Sequence, residues 1–456
     1  VKHPERVLAI APLYSDIEAV NRSLRFNIGA AFLGMLWLCV PIGAPLPLLM
    51  QVVEASSTQL GLLSASWQAA MLVQIPAALF YESLRRRKFF WAAACIPHRI
   101  LWGAPALIPI LLPEQKAQWP IWIIASLSLS NIFANLGTAS WSSWMADIVP
   151  TETAGAFWSI RQRAVSAGLI VGTAWYGWIL DHQSAPESMR GFQWVFLLCA
   201  LFGVCDILVH LFVDEPAQGR VANNVSWRER LRAPFQTPGF GALTLAMAVW
   251  TGAQSLVGYT LALPGFFSMV HLHASFGANY SQASYLFISA ALGAAVFSHK
   301  LGAWMDKAGA GTVMQKLVFW APISLLTWWL AVPGDAVILG HRFPIAVGWM
   351  TVTGLVQGGL YVGTLLCQFR LTQIYMPTHG RTVAMALHWS LAGLGGAIGA
   401  FAGGWIKGAI ESSGMPTFLG GRYPYDVLVL LHLVLAWLCV LPLCRKLALS
   451  ERSSAQ

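Results

Sequence analysis

Arg99, Asp206 and His210 each lie inside a long apolar stretch of this 456-residue chain. An ionisable side chain in such a place is costly enough to be either paired or functional. Arg99 stands eleven residues beyond Lys88, and Asp206 eight before Asp214. On helices rising 1.5 Å per residue, those offsets place the two at similar depth, roughly 16 Å and 12 Å from the same face. Two chemistries fit. Arg99 and Asp206 can neutralise each other as a structural ion pair, with His210 one turn below the acid. Alternatively, Asp206 and His210 can hand on a proton, since imidazole titrates near neutrality.

Uncharged polar residues form a second set. Asn131 and Asn135, Trp250 and Gln254, and Gln357 and Tyr361 are each four apart, so each pair shares one face of a helix. Amides supply donors and acceptors, and rings supply flat apolar walls, to which Trp37 adds another. Together they suit a neutral or zwitterionic polar solute, or a sugar stacked on tryptophan. The same amides also serve as glue between membrane helices, and both roles stay open here. Catalysis has no comparable support: there is no HExxH, GxSxG or P-loop, and no pair of intramembrane carboxylates. The seven cysteines, nearly all in apolar stretches and without a CxxC, read as small core residues. Neither a disulfide, a metal nor a cofactor is expected.

The elements that must position these groups are twelve apolar stretches. They run Phe26 to Met50, Gln59 to Tyr81, Phe89 to Leu112, Trp119 to Met145, Ala164 to Leu180 and Phe192 to Val213, then Phe240 to Leu263, Tyr280 to Met305, Val313 to Val332, Pro344 to Cys367, Val383 to Ile406 and Val427 to Leu447. A hydrocarbon core of roughly 30 Å needs about 20 helical residues per crossing, so most are long enough to span. Prolines Pro41, Pro45 and Pro47 in the first stretch, and Pro105 and Pro109 in the third, are expected to kink their helices. Gly393, Gly395, Gly396, Gly399, Gly403 and Gly404 crowd the eleventh, which reads either as close helix packing or as a helix that bends.

Composition agrees: 57% of residues are hydrophobic, 10% are charged and the mean hydropathy is +0.60. Of the 28 Lys and Arg, twenty-two fall on the face holding both termini, five on the other, and one, Arg99, within a crossing. By the positive-inside rule both termini are expected in the cytoplasm. The net charge of +9 is therefore a topology and anionic-lipid signal, and nucleic acid is not expected as a partner. The first twenty-five residues hold no short apolar region with a cleavage site, so the first crossing is expected to be retained. The organisation expected is a cytoplasmic segment 1–25, a bundle 26–213, a cytoplasmic linker 214–238, a second bundle 239–447 and a tail 448–456.

The two halves share punctuation. Gly302, Asp306, Lys307 and Gly309 mark the turn after the eighth stretch; Ala78, Glu82, Arg85, Arg86 and Arg87 mark the turn after the second. Glu82 and Asp306 are 224 positions apart, and Pro150 and Pro377, in a second pair of joins, are 227 apart. Nearly one offset at two anchors argues for duplication. Here the chain resembles the major facilitator superfamily of secondary transporters, whose corresponding loops carry Gly-x-x-x-Asp-Arg/Lys-x-Gly-Arg. The second copy fits well, although Ala310 and Gly311 replace the trailing basic residues, and the first copy is degenerate.

The resemblance implies an all-α membrane protein of twelve transmembrane helices in two pseudo-symmetric six-helix bundles, which rock about a central cavity lined by the first, fourth, seventh and tenth helices. Asn131, Asn135, Trp250, Gln254, Gln357, Tyr361 and Trp37 are then candidates for binding substrate, and Arg99 and Asp206 sit on neighbouring helices. It also implies gates. An acid at a turn can face the positive N-terminal end of a helix in the other half, worth about 0.3–1 kcal/mol when exposed and up to about 2 when partly buried. Asp306 is expected to face the start of crossing five near Gly155 to Trp158, and Glu82 the start of crossing eleven near Gly380 and Arg381, when the protein is open to the outside. Arg86, Arg87, Gly302, Lys307 and Gly309 complete the turns, and Arg161 and Arg163 form a charged cluster with Asp147 and Glu152. The plain alternative is that these charges fix topology and cap turns.

The function implied is secondary active or facilitative transport of a small organic solute by a monomer in a bacterial cytoplasmic membrane. Membrane lipids, and protons as a coupling ion, are candidate partners. A non-transporting sensor or scaffold of the same fold, and an intramembrane enzyme, are the competing readings.

Overall fold

The computed structural model describes residues 17–81, 86–149, 154–183, 189–215, 226–259, 263–338, 341–377, 381–414 and 423–455. Its helices form twelve crossings. In the first half these are one (Ile17–Ile42 and Pro45–Val52), two (Ser57–Ala69, then a 3-10 turn and Gln74–Tyr81), three (Lys88–Leu101 and Ala104–Leu111), four (Trp119–Ile148), five (Ala154–Gln183) and six (Arg190–His210). In the second they are seven (Phe240–Leu256 and Phe266–Phe276), eight (Tyr280–Ala308), nine (Ala310–Leu325), ten (Ile345–Tyr375), eleven (Arg381–Ser413) and twelve (Pro424–Leu435, continuing through a π-turn to Leu441–Ala455). A short helix, Trp227–Gln236, lies between the halves.

Among the described residues, nine of these are long and apolar enough to span, counting the bent crossing three as one. Five, seven and nine fall short alone. Five carries Arg161, Arg163 and Asp181 around a centre rich in Gly and Trp. Seven and nine have only 17 and 16 residues in their main helices.

Proline breaks the helices as expected of a residue without an N–H, although not always at the proline itself. Crossing one interrupts at Gly43 and Ala44, between Pro41 and Pro45, and crossing three bends by 47° between Leu101 and Ala104. The fold is all-α as expected, with one short strand pair in a connection. Between crossings nine and ten the chain forms an antiparallel hairpin, Asp335–Ile338 with His341–Pro344, after the ninth helix has ended at Leu325 and the chain has passed through a 3-10 turn, Leu326–Leu330.

The halves repeat in their packing as well as in their sequence. Glu215, just past crossing six, accepts the backbone N–H of Arg87 at the start of crossing three. Glu451, in the last helix of crossing twelve, accepts the N–H groups of Ala310 and Gly311 at the start of crossing nine, at 3.0 and 2.7 Å. An acid on an otherwise unsatisfied helix start is favourable on both hydrogen-bonding and dipole grounds. Gly309 links crossings eight and nine at φ +82°, a conformation a side chain resists.

Within each half, small residues let backbones approach closely. A Cβ on Gly395 or Gly399 would lie 2.0 Å from the Ala248 carbonyl oxygen or 1.9 Å from that of Gly252, so crossings seven and eleven touch along a seam without side chains.

Candidate functional site

Crossings one, three, four, five and six of the first half enclose a cavity of about 470 Å³ running from Arg99 at mid-depth to Arg161 near the face that holds both chain ends. Thr138 and Gln162 are exposed along it. Its deep wall is a polar chain. Arg99 Nη2 lies 3.0 Å from Asp206 Oδ2, and its guanidinium carbon sits 3.5 Å above the Trp37 ring. Arg99 Nη1 meets His98 Nε2 at 3.1 Å, and His98 Nδ1 meets Ser130 Oγ at 2.7 Å.

On the other side, His210 Nδ1 is 3.0 Å from Asp206 Oδ1, while its Nε2 receives the Trp141 indole N–H at 3.3 Å. Asn27 joins His210 to Arg161, whose Nε donates to Asn27 Oδ1 at 2.9 Å. Arg161 in turn lies over Trp141 and Trp158. Five crossings thus hold one chain of polar contacts, Ser130–His98–Arg99–Asp206–His210–Asn27–Arg161.

The fold explains the convergence. Gly34 of crossing one has no side chain where Asp206 approaches, since a Cβ there would sit 3.0 Å from the carboxylate. Gly203, one turn before Asp206, likewise leaves room for the Arg99 stem and the Trp37 ring, at 2.6 and 2.8 Å from where its Cβ would be. The pair is buried, with side chains 13% and 7% exposed, yet both residues line the cavity. Paired charges so placed offer donors and acceptors without net charge, and Trp37, Trp91 and Trp141 offer ring faces.

The uncharged candidates divide. Trp37 lines this cavity beneath Arg99. Asn131 and Asn135 are buried beside it without lining it, because the cavity face of crossing four is Ala134, Thr138 and Trp141. Asn135 accepts from Gln74 of crossing two at 2.7 Å and donates to the Asn131 carbonyl. Trp250 and Gln254 line a separate cavity of about 60 Å³ between the halves, with Gln68 and Gln368. Trp250 donates to Thr364 at 3.1 Å, and the Gln254 Nε2 is buried without a partner. Gln357 and Tyr361 turn into their own half: Gln357 accepts from Tyr259 and donates to the Ser324 carbonyl, and the Tyr361 hydroxyl meets His432 Nε2 at 2.7 Å.

Of the gating candidates, Asp306 and Lys307 are exposed and Gly302 is half-buried. Arg87 is fully buried against Glu215, with Nε 3.5 Å from the carboxylate, so it is held inside its own half. Arg86 is exposed, and Arg381 opens crossing eleven with Nε 3.3 Å from the Pro377 carbonyl. Glu82, Glu152 and the side chain of Asp147 lie outside the described residues.

Crossings two and eleven bring the halves together along their length, from Ser57 to Ile75 and Leu79, which pack on the cluster around Val383 and Leu387, and charged contacts between the halves lie on the face opposite the chain ends. Asp181, ending crossing five, accepts from the N–H groups of Tyr280 and Ser281, at 2.9 and 3.3 Å, and from the Ser281 hydroxyl. On the other flank Lys407 Nζ of crossing eleven donates to Ser57 Oγ of crossing two at 2.8 Å and binds Glu411, which also accepts from Ser57. Asp181 and Lys407 stand near helix ends, where an acid or a base is ordinary, so the sequence alone does not mark them as contacts between the halves.

Two halves of six helices, with the buried Arg99–Asp206 pair on the wall of a cavity in the first, define a multi-pass membrane protein of the transporter class. The model of the Major Facilitator Superfamily matches residues 26–400, and the chain belongs to that superfamily. Among solved structures it is similar to the D-xylose-proton symporter, at 14% identity and a TM-score of 0.62 over 92% of this chain and 95% of that one. It is also similar to the nucleoside transporter NupG, at 14% and 0.60 over 96% and 99%, and to the E. coli fucose:proton symporter, at 13% and 0.56 over 93% and 98%. These likenesses establish the fold. No curated protein sequence matches significantly.

Proposed function

We propose that this protein carries a small, neutral, polar organic solute across a bacterial cytoplasmic membrane by alternating access, with both termini in the cytoplasm and the cavity open to that side. The observation that carries the reading is the Arg99–Asp206 pair on the wall of a cavity with indole faces. A cation would have to compete with Arg99 for the carboxylate, and an anion with Asp206 for the guanidinium. Hydroxyl or amide groups can bridge both without separating them, while a ring or aliphatic face lies on Trp37 or Trp141. The orientation is supported by the twenty-two-to-five bias of Lys and Arg, and the closed outer side by the Asp181 and Lys407 contacts.

A second role for the same residues rests on His210, which lines the cavity and bonds both Asp206 and Trp141. In this reading Asp206 and His210 pass a proton during the cycle and couple transport to the proton gradient.

The test is thermal stabilisation of the purified protein by a panel of sugars, nucleosides, amino acids, organic acids and cations, followed by uptake of any hit into proteoliposomes. A neutral polyol or nucleoside that stabilises the parent but not Trp37→Ala supports the reading. Selective stabilisation by an organic anion or cation overturns the substrate class, and binding without uptake favours the sensor.

A further inference from the structure

A second cavity, of about 540 Å³, lies on the outside of the second half between crossings seven, eleven and twelve, and its lining is almost wholly apolar. Its floor is the glycine seam of Gly252, Gly395 and Gly399, where no side chain fills the space between the helices. Its rims are exposed: Leu245 is 55% and Ile398 65% accessible. At membrane depth such a groove takes hydrocarbon.

What heads the groove distinguishes it from an ordinary lipid-facing furrow. Phe235, half exposed, lies at its end against Gly241 and belongs to the helix Trp227–Gln236. That helix is amphipathic. Leu231 packs against the cluster around Phe240, Met376 and Val383, while Arg228, Arg232 and Phe235 are all exposed. These three stand at i, i+4 and i+7, and therefore on one face. Glu229, the acid among them, is occupied in a capping box with Ser226. Gly239, at φ +85°, makes the turn that sets this helix across the foot of crossing seven; a Cβ there would strike the Tyr375 ring at 2.3 Å. Two guanidinium groups are thus presented one and two turns before the ring that opens an apolar groove.

We propose that this is a binding site for an anionic phospholipid of the cytoplasmic leaflet, with its phosphate on Arg228 and Arg232 and one acyl chain along the groove from Phe235 toward Ile398. The proposal rests on the orientation proposed above, since the anionic leaflet must lie on the side of the linker helix. Arginine suits phosphate through its planar fork, and amphipathic helices with basic flanks bind anionic interfaces. The site is separate from the polar cavity of the first half, so it bears on lipid dependence and not on solute choice.

The experiment is native mass spectrometry of the full-length, delipidated protein in detergent, titrated with dioleoyl phosphatidylglycerol or dioleoyl phosphatidylcholine. One phosphatidylglycerol per chain should be retained by the parent in preference to phosphatidylcholine. Arg228→Gln with Arg232→Gln should weaken phosphatidylglycerol about 30-fold, since each basic residue near a charged lipid surface contributes roughly fivefold. Ala402→Phe, which fills the groove, should weaken both lipids; if it fails to fold, Leu245→Trp at the rim serves. Equal affinity for the two lipids, unchanged binding by the double Arg variant, or a dimer that excludes lipid from the groove overturns the proposal. Binding that survives the double variant while uptake is unaffected overturns this site and leaves the transport reading intact.

Discussion

The carboxylate of Asp181, in the last turn of crossing five, caps the helix that begins at Tyr280 in the other half, accepting the Tyr280 N–H at 2.9 Å. Crossing eight already has a local capping box, in which Asn279 takes the Gln282 N–H. Asp181 takes the Tyr280 and Ser281 donors that this box leaves over. It therefore adds nothing that crossing eight needs to form and instead ties the halves together. An acid from one half on a helix start of the other is the geometry expected of Asp306, here found on the opposite face.

Asp181→Ala should release this latch without unfolding either half. A carboxylate on a partly buried helix start is worth about 1–2 kcal/mol, so opening between crossings five and eight should become about 5- to 30-fold more populated. Hydrogen exchange at the amides of Tyr280 and Ser281 measures it. Unchanged protection would mean that these contacts do not hold the closed side.

Crossing eleven carries two glycine rows with different neighbours, and they should respond differently. Gly399 abuts the Gly252 backbone within one half, whereas a Cβ on Gly404 would lie 2.5 Å from the Ser57 carbonyl oxygen across the halves. Gly399→Ala should destabilise the second bundle by about 1–3 kcal/mol or more, as overpacking does. Gly404→Ala should cost less fold stability, because the halves can part, and should favour the state open at that face. Thermal unfolding reads the first effect, and labelling of a cysteine at Thr58 the second.

Removing one member of the Arg99–Asp206 pair leaves the other without its counter-charge at membrane depth. Arg99→Gln or Asp206→Asn alone should cost about 3–5 kcal/mol and lower the folded yield, whereas the double variant should recover most of it. If the pair also serves substrate, the double variant folds but does not transport. Recovery of both folding and uptake would leave it a purely structural ion pair. For the relay reading, the separate measurement is uptake against pH in folded His210→Gln, which should lose the parent's pH dependence.

The twelve crossings were legible because hydrophobic runs and alternating charge follow directly from the solvent a membrane provides. Arg99 and Asp206 were legible for the same reason, as charges where none belongs. Which face each polar residue presents was not. The expected face of crossing four was Asn131 and Asn135, yet the cavity meets Ala134, Thr138 and Trp141; the Asn135 amide is held by Gln74 and by the Asn131 carbonyl, while the Asn131 Nδ2 is buried without a partner. Gln357 and Tyr361 had partners in Tyr259 and His432 that only the packing of crossings seven and twelve supplies. Asp181 and Lys407 carried no signal, since a charge near a helix end is unremarkable until its neighbour in the other half is known.

Lys407 and Glu411 provide a directional test of the second latch. The Lys407 side chain is 9% exposed and Glu411 41%, so the ammonium is the more deeply buried partner and depends on the acid and on Ser57 Oγ for its solvation. Glu411→Gln leaves that ammonium without its counter-charge and should lower stability by about 1–3 kcal/mol, less than breaking a fully buried pair because water reaches the acid. Lys407→Met removes the buried charge altogether, and the acid it leaves behind can turn to solvent. It should therefore cost less than Glu411→Gln, and each variant leaves one hydrogen bond with Ser57 of crossing two, to Glu411 in Lys407→Met and from Lys407 in Glu411→Gln. Thermal unfolding of the two proteins ranks them. The reverse order would mean that Lys407 is solvated by other groups and that the acid, not the base, depends on the latch.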